Sequence, residues 1–191
     1  MLFRSHAGTV PMGARQDALT AASEMVLLVE RHCETHAGLV GTVGKMAVRP
    51  GAVNVIPQDV VFTVDVRSGD DALRRAAIAA IRAGCAAIAQ RRRVKVDAAD
   101  LFAADAAPCD PALQDAFAQA IAAHGIPVRH LPSGAGHDAM EFPAVAPTAM
   151  LFVRCGNNGI SHHPDETMTA EDADIATSVL LHFFENYRPA R

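Results

Sequence analysis

Residues 60–67 read VVFTVDVR, eight positions dominated by β-branched and aromatic side chains. Such a run fits a pleated, half-buried surface and little else. Helical patterns flank it on both sides. Over residues 15–32, Leu19, Ala22, Met25, Val26 and Val29 recur at the spacing of one helix face, with Asp17 placed early, where the helix dipole favours an anion. Residues 71–91 repeat the pattern behind a cap supplied by Ser68 to Asp71. A strand held between two amphipathic helices must bury one face against them, so this part of the chain is predicted to be an α/β layer.

The remaining elements of the first half follow from alternation and punctuation. Residues 2–7 are extended in character, and GTVPM at 8–12 is a turn. Residues 39–49 alternate in the strand sense, RPG at 49–51 turns the chain, and 94–102 alternate again. The predicted order over residues 1–104 is β-α-β-β-α-β, the ferredoxin-like arrangement of a sheet with two helices on one face.

The stretch AADAAPC at 103–109 is a plausible boundary, and residues 105–191 form a second unit. Asp110-Pro111 starts a helix that Gly125 stops after His124. Short strands are predicted at 128–131 and 149–153, and a glycine-rich turn at 133–138 leads into a short helix. A loop follows at 156–166, and Thr169 caps a last helix that runs to about Tyr187, with Glu171 and Asp172 in its first turn. Two strands do not make a sheet that three helical pieces can cover. This half is therefore expected to be the C-terminal part of a larger α/β catalytic domain. The abrupt start, MLFR running straight into a motif-rich stretch, agrees with a piece of a longer protein.

Composition removes whole classes of function. The net charge of −4 and the scattered basic residues argue against a nucleic-acid partner; the one run, Arg91–Arg93, closes a helical stretch, where cations are favoured. No apolar run approaches the ~20 residues of a membrane span. The four cysteines, at 33, 85, 109 and 155, make neither a CxxC pair nor a disulfide framework, and are expected to be free thiols in the cytoplasm.

Four loops concentrate polar groups that a core does not require. In HAGTVPM, His6 stands beside a glycine, as an exposed hydrogen-bond donor or as a solvent histidine. Arg67 ends an otherwise apolar strand, where a guanidinium can hold a carboxylate through two parallel bonds and Asn54 can add a donor; the alternative is a surface pair with Asp65 or Asp70. The loop SGAGHD exposes the backbone N–H groups of Gly134, Ala135 and Gly136 next to His137, which suits an anion or an ordinary turn. The loop GISHHP carries His162 and His163, whose side chains diverge, so that one can serve as a metal ligand. The nine histidines show no HExxH or HxH spacing, so no complete metal site is visible.

Together HAGTVPMGARQDAL, PGAVNVIP, FTVDVR, SGAGHDAM and LFVRCGNNGISHHPDE resemble, in order and spacing, the hallmarks of the carbamoylase and allantoate amidohydrolase branch of the M20 metallopeptidase family. The resemblance covers essentially the whole chain. It implies a hydrolase in which a catalytic domain is interrupted by a lid that also forms a homodimer contact, with the β-α-β-β-α-β unit as that lid. It implies two divalent metal ions, zinc or manganese, that activate water, a glutamate as general base, and hydrolysis of the ureido C–N bond of a small ureido acid. Matched motif by motif, His162 would be a metal ligand, and Asn54 and Arg67 would hold the substrate carboxylate. His6 would reach into the partner's active site as a catalytic group, and Gly134, Ala135, Gly136 and His137 would line the substrate pocket. The other ligands and the glutamate lie upstream of the lid in the family, so this chain alone is expected to bind metal poorly and turn nothing over. A non-catalytic dimerisation module, or an aminoacylase or dipeptidase of the same superfamily, remains the competing expectation.

Overall fold

The computed structural model describes residues 5–189. The chain divides into two compact units, Met1–Ala106 and Ala107–Arg191.

In the first unit, helix α1 (Ala18–Glu34) begins where Asp17 accepts the backbone N–H groups of Leu19 and Thr20. This satisfies donors that a helix start otherwise leaves unpaired. Strands β1 (Leu39–Arg49) and β2 (Asp59–Ser68) pair antiparallel from Leu39 opposite Ser68 to Arg49 opposite Asp59. The register slips between Thr42 and Lys45, a bulge that adds a residue to β1. Helix α2 (Asp71–Arg92) starts on the Asp70 carboxylate and ends at Arg93 in the left-handed conformation, φ 58°.

Both helices share cores with the strands. Val29, Cys33, Leu39, Ala77 and Ile81 form one buried cluster, and Ala21, Met25 and Ala89 form another, against which Phe62 packs. Two glycines permit this closeness. A Cβ on Gly41 would lie 2.4 Å from the Cys33 Sγ, and one on Gly84 would lie 2.5 Å from Leu28 Cδ2. The opposite side of the sheet is left to solvent, with Val40 paired to Arg67 and Ala47 to Val61, and with Val40 and Val61 both exposed.

The middle of the expected order, α1-β1-β2-α2, is present; among the described residues the outer strands do not form. Residues 94–102 form no ladder. They run along α2 instead, where Arg82 meets Asp100 at 2.5 Å and Arg74 and Arg75 meet Asp105 at 3.2 and 3.5 Å. Leu101 and Phe102 stay exposed. Alternation in a sequence marks two faces but names no neighbour, and without a neighbour the segment stays unpaired. Half of the strand expected at 2–7 lies outside the described residues, and its described half makes a single bridge, His6 to Val55.

In the second unit, helix α3 (Pro111–Ala123) is capped by Asp110, whose side chain accepts from Leu113 N, and Gly125 follows it at φ 70°. Helix α4 (Ala170–Asn186) is capped by Thr169. Ala120, Val179 and Phe183 are the buried centre between them, with Phe117 and Phe183 stacked at 4.2 Å between ring centroids. The strands expected at 128–131 and 149–153 form no ladder among the described residues. Most of their apolar side chains, including Leu131 and Phe152, are exposed, whereas Leu151 packs against the core formed by Ala120, Val179 and Phe183. The short helix after the glycine-rich turn is a 3-10 segment, Asp138–Ala144. No helix among the described residues is long and apolar enough to cross a membrane.

Candidate functional site

The first unit brings together the backbone segments that carry two of the expected residues. Residues 5–7 pair with the turn at 54–56: Ile56 N donates to Ser5 O at 2.7 Å, Ala7 N donates to Asn54 O at 2.9 Å, and His6 stands opposite Val55. His6 and Asn54 are therefore exposed neighbours along one short antiparallel bridge, but His6 faces Val55 and Asn54 faces Ala7, so alternation directs their side chains to opposite faces. The His6 ring is not loose, because Gly8 N donates to its Nδ1 at 3.0 Å.

Arg67 stands on the outer face of β2 and is engaged by Asp65, two residues away on the same face. Its Nε donates to Oδ1 at 3.0 Å and its Nη2 to Oδ2 at 2.7 Å. These bonds hold the Asp65 carboxyl below the usual carboxylate range, against a smaller opposing effect of burial. Both side chains are about half exposed, at 50% and 54%, so water screens the pair and its contribution to stability is small. The surface pairing expected as the alternative reading of Arg67 is what forms, and any carboxylate ligand has to compete with Asp65 for the guanidinium.

In the second unit, Gly134, Ala135 and Gly136 lie in an exposed loop. His137 ends this loop as the cap of the 3-10 segment, its Nδ1 accepting from Ala139 N at 3.0 Å. The later loop is pinned at its base, where Gly156 N donates to Thr167 O at 2.7 Å and Asn157 Nδ2 donates to Asp165 O at 2.6 Å. His162 takes a left-handed backbone, φ 56°, and its N–H donates to Glu166 Oε2 at 3.0 Å. The Nδ1 of the neighbouring His163 instead accepts from Asp165 N at 3.1 Å.

Just before that loop, Arg154 Nε donates to Asp172 Oδ1 at 2.7 Å, and Thr169 Oγ1 donates to Asp172 Oδ2 at 2.6 Å. Asp172 is 7% exposed, and these two bonds, that from Thr169 first, hold its carboxyl below the usual range. Sequence reasoning placed Asp172 in the first turn of α4 but did not find its link to Arg154.

Among the described residues no group of three His, Cys, Asp or Glu side chains is arranged to hold a metal ion. His162 can supply one ligand, and one imidazole is not a site. The donors of this chain do not by themselves fit a metal pair.

The family model for Peptidase family M20/M25/M40 matches residues 3–186, and the chain belongs to that family. It is 35% identical over 177 residues to the N-carbamoyl-L-amino acid amidohydrolase of Geobacillus stearothermophilus, covering 93% of this chain and 43% of that protein. It is 35% identical over 210 residues to the allantoate deiminase of Arabidopsis thaliana, covering 96% of this chain and 40% of the relative. Among solved structures it superposes on an amidase of the hydantoinase/carbamoylase family from Burkholderia multivorans with a TM-score of 0.89 and 44% identity, over 93% of this chain and 43% of that one. The chain thus spans about two fifths of the length of the relatives it matches.

Proposed function

We propose that this chain forms the lid and the C-terminal catalytic portion of a metal-dependent amidohydrolase that cleaves a ureido C–N bond, in allantoate or in an N-carbamoyl amino acid. The observation that supports the reading is the bridge between His6 and Val55, which brings the HAGTVPM and PGAVNVIP segments against each other although sequence separates them by almost fifty residues. The names of the relatives supply the substrate class: one acts on N-carbamoyl-L-amino acids and another on allantoate.

In this reading residues 1–104 are the lid and carry the homodimer contact, and residues 105–191 belong to the catalytic domain. Asn54 and Arg67 hold the substrate carboxylate, with Arg67 exchanging Asp65 for the ligand. His6 donates to the polarised carbonyl in the active site of the partner subunit. The backbone of Gly134, Ala135 and Gly136, with His137, lines the substrate pocket, and His162 contributes one metal ligand. Two divalent ions, zinc or manganese, would polarise the carbonyl and activate water in the complete protein. The described donors of this chain make no site for either ion, and the chain by itself is expected to have no turnover. The unpaired cysteines support a cytoplasmic location.

The test joins this chain to the N-terminal portion that the Geobacillus stearothermophilus relative carries beyond the match. The metal-loaded product is assayed on allantoate, N-carbamoyl amino acids and N-acetyl amino acids. Hydrolysis of a ureido substrate supports the reading. Preference for the acetyl compounds would instead make the protein an aminoacylase, and stable dimers without hydrolysis would point to a binding module.

A further inference from the structure

The loop that follows His6 is braced by two arginines, Arg15 within the HAGTVPMGARQDAL motif and Arg93 outside it. Arg15, partly buried, donates from Nε to the Val10 carbonyl at 3.0 Å and from Nη2 to the Ala7 carbonyl at 2.5 Å. From the end of α2, Arg93 donates to the Gly13 carbonyl at 2.6 Å. Two guanidinium groups thus hold the carbonyls of Ala7, Val10 and Gly13, and the loop is folded round them. A planar fork with several fixed donors suits this task, because one side chain can span two carbonyls.

Inside the braced loop, the Gly8 amide reaches back to His6 Nδ1 at 3.0 Å. A backbone amide only donates, so Nδ1 carries no proton and the neutral ring bears its proton on Nε2. The contact is close on the glycine side: a Cβ at position 8 would stand 3.3 Å from His6 Cε1 and 3.4 Å from Nδ1, so the ring would have to shift by a few tenths of an ångström. The backbone bonds between Ala7 and Asn54 and between Ser5 and Ile56 fix the other side of the same residue.

We propose that Arg15, seconded by Arg93, is a positioning residue for His6: it shapes the loop so that the Gly8 amide locks the imidazole with Nε2–H as its outward donor. This rests on the reading of His6 as the group that donates to a substrate carbonyl, since such a role requires a protonated nitrogen facing outward and a ring that does not turn over. Neither arginine touches substrate in this scheme. Each acts through backbone carbonyls, which a carboxylate-binding arginine would leave alone.

The experiment is nitrogen and amide NMR on the 191-residue chain, without metal or substrate, at a pH where His6 is neutral. Imidazole 15N shifts report which ring nitrogen holds the proton, and hydrogen exchange reports the Gly8 amide bond. The expected result is a protonated Nε2, an unprotonated Nδ1 and a protected Gly8 amide. In R15A that protection falls roughly tenfold, the loss of one hydrogen bond, and the ring shifts move toward those of free imidazole. R93A gives a smaller change of the same sign, R15K restores part of the protection, and G8A displaces the ring with both arginines intact. Unchanged amide patterns in α1, β1 and β2 show that each variant is folded. A proton on Nδ1 in the parent chain, or R15A and G8A spectra that keep the parent ring shifts and Gly8 protection, would overturn the proposal. Because no turnover is read, a locked His6 in a protein that hydrolyses no ureido substrate would sink the functional reading and leave the positioning intact.

Discussion

Arg154 and Asp172 form an ion pair of 2.7 Å that ties the residue before the His162 loop to the first turn of α4. Thr169 completes it from the cap position, so one carboxylate serves the helix start and the loop base together. Its carboxyl is held below the usual carboxylate range in the folded protein. A group with a depressed folded pKa contributes stability that is fully present above the unfolded pKa and is lost as pH falls through the folded value. Thermal unfolding of D172N should therefore occur several degrees lower than that of the parent chain at neutral pH. The gap should close as the pH is taken below the carboxylate range; a gap that persists in acid would contradict the assignment.

Gly41 lies against Cys33, and its missing side chain is part of the packing. Forcing a methyl group into a gap of 2.4 Å requires the sheet or α1 to move. Overpacking of this kind costs about 1–3 kcal/mol. Urea unfolding should show that loss for G41A, whereas G13A, which meets nothing within 4 Å, should shift by roughly 0.5 kcal/mol or less.

The cysteines should react in an order set by burial. Cys155 is exposed, whereas Cys33 is buried and Cys85 partly so. Burial pushes both of the latter thiols up, which lowers their thiolate content at neutral pH. A thiol reagent followed by mass spectrometry should label Cys155 first, and Cys33 and Cys85 only as the chain unfolds. Early labelling of Cys33 would mean that α1 does not lie on β1 as described.

What the sequence made readable follows from how local each signal is. Asp70, Asp110 and Thr169 act on amides two or three residues away, so the starts of three helices could be placed from composition and spacing, whereas α1 begins at Ala18 rather than at residue 15 because Asp17 caps the helix instead of lying within it. The strands β1 and β2 carry their own alternation and are joined by a short connection, and both formed. Residues 94–102, 128–131 and 149–153 alternate or are apolar as well, but a ladder needs a neighbour that these segments do not find among the described residues. The pairing of Arg67 with Asp65 was visible as an alternative because the partners are two residues apart. The clamp of Arg93 on Gly13 was not, since its acceptor is a backbone oxygen eighty residues away and leaves no mark on composition.

Arg67 and Asp65 also make a prediction about binding. In the joined, metal-loaded protein, R67A should raise KM for a ureido acid about tenfold to a hundredfold, the loss of a charged hydrogen bond to a carboxylate. D65N, which removes the internal competitor, should lower KM or leave it unchanged. A rise in KM for D65N as large as that for R67A would show that Asp65 orients the guanidinium rather than competing for it.

The central claim is tested most directly by steady-state hydrolysis in the joined protein, comparing N-carbamoyl amino acids and allantoate with their N-acetyl counterparts and comparing the parent with N54A. Turnover of a ureido substrate, metal-dependent and weakened at least tenfold in kcat/KM by N54A, is the predicted result. Turnover confined to the acetyl compounds, or ureido hydrolysis indifferent to Asn54, would contradict it.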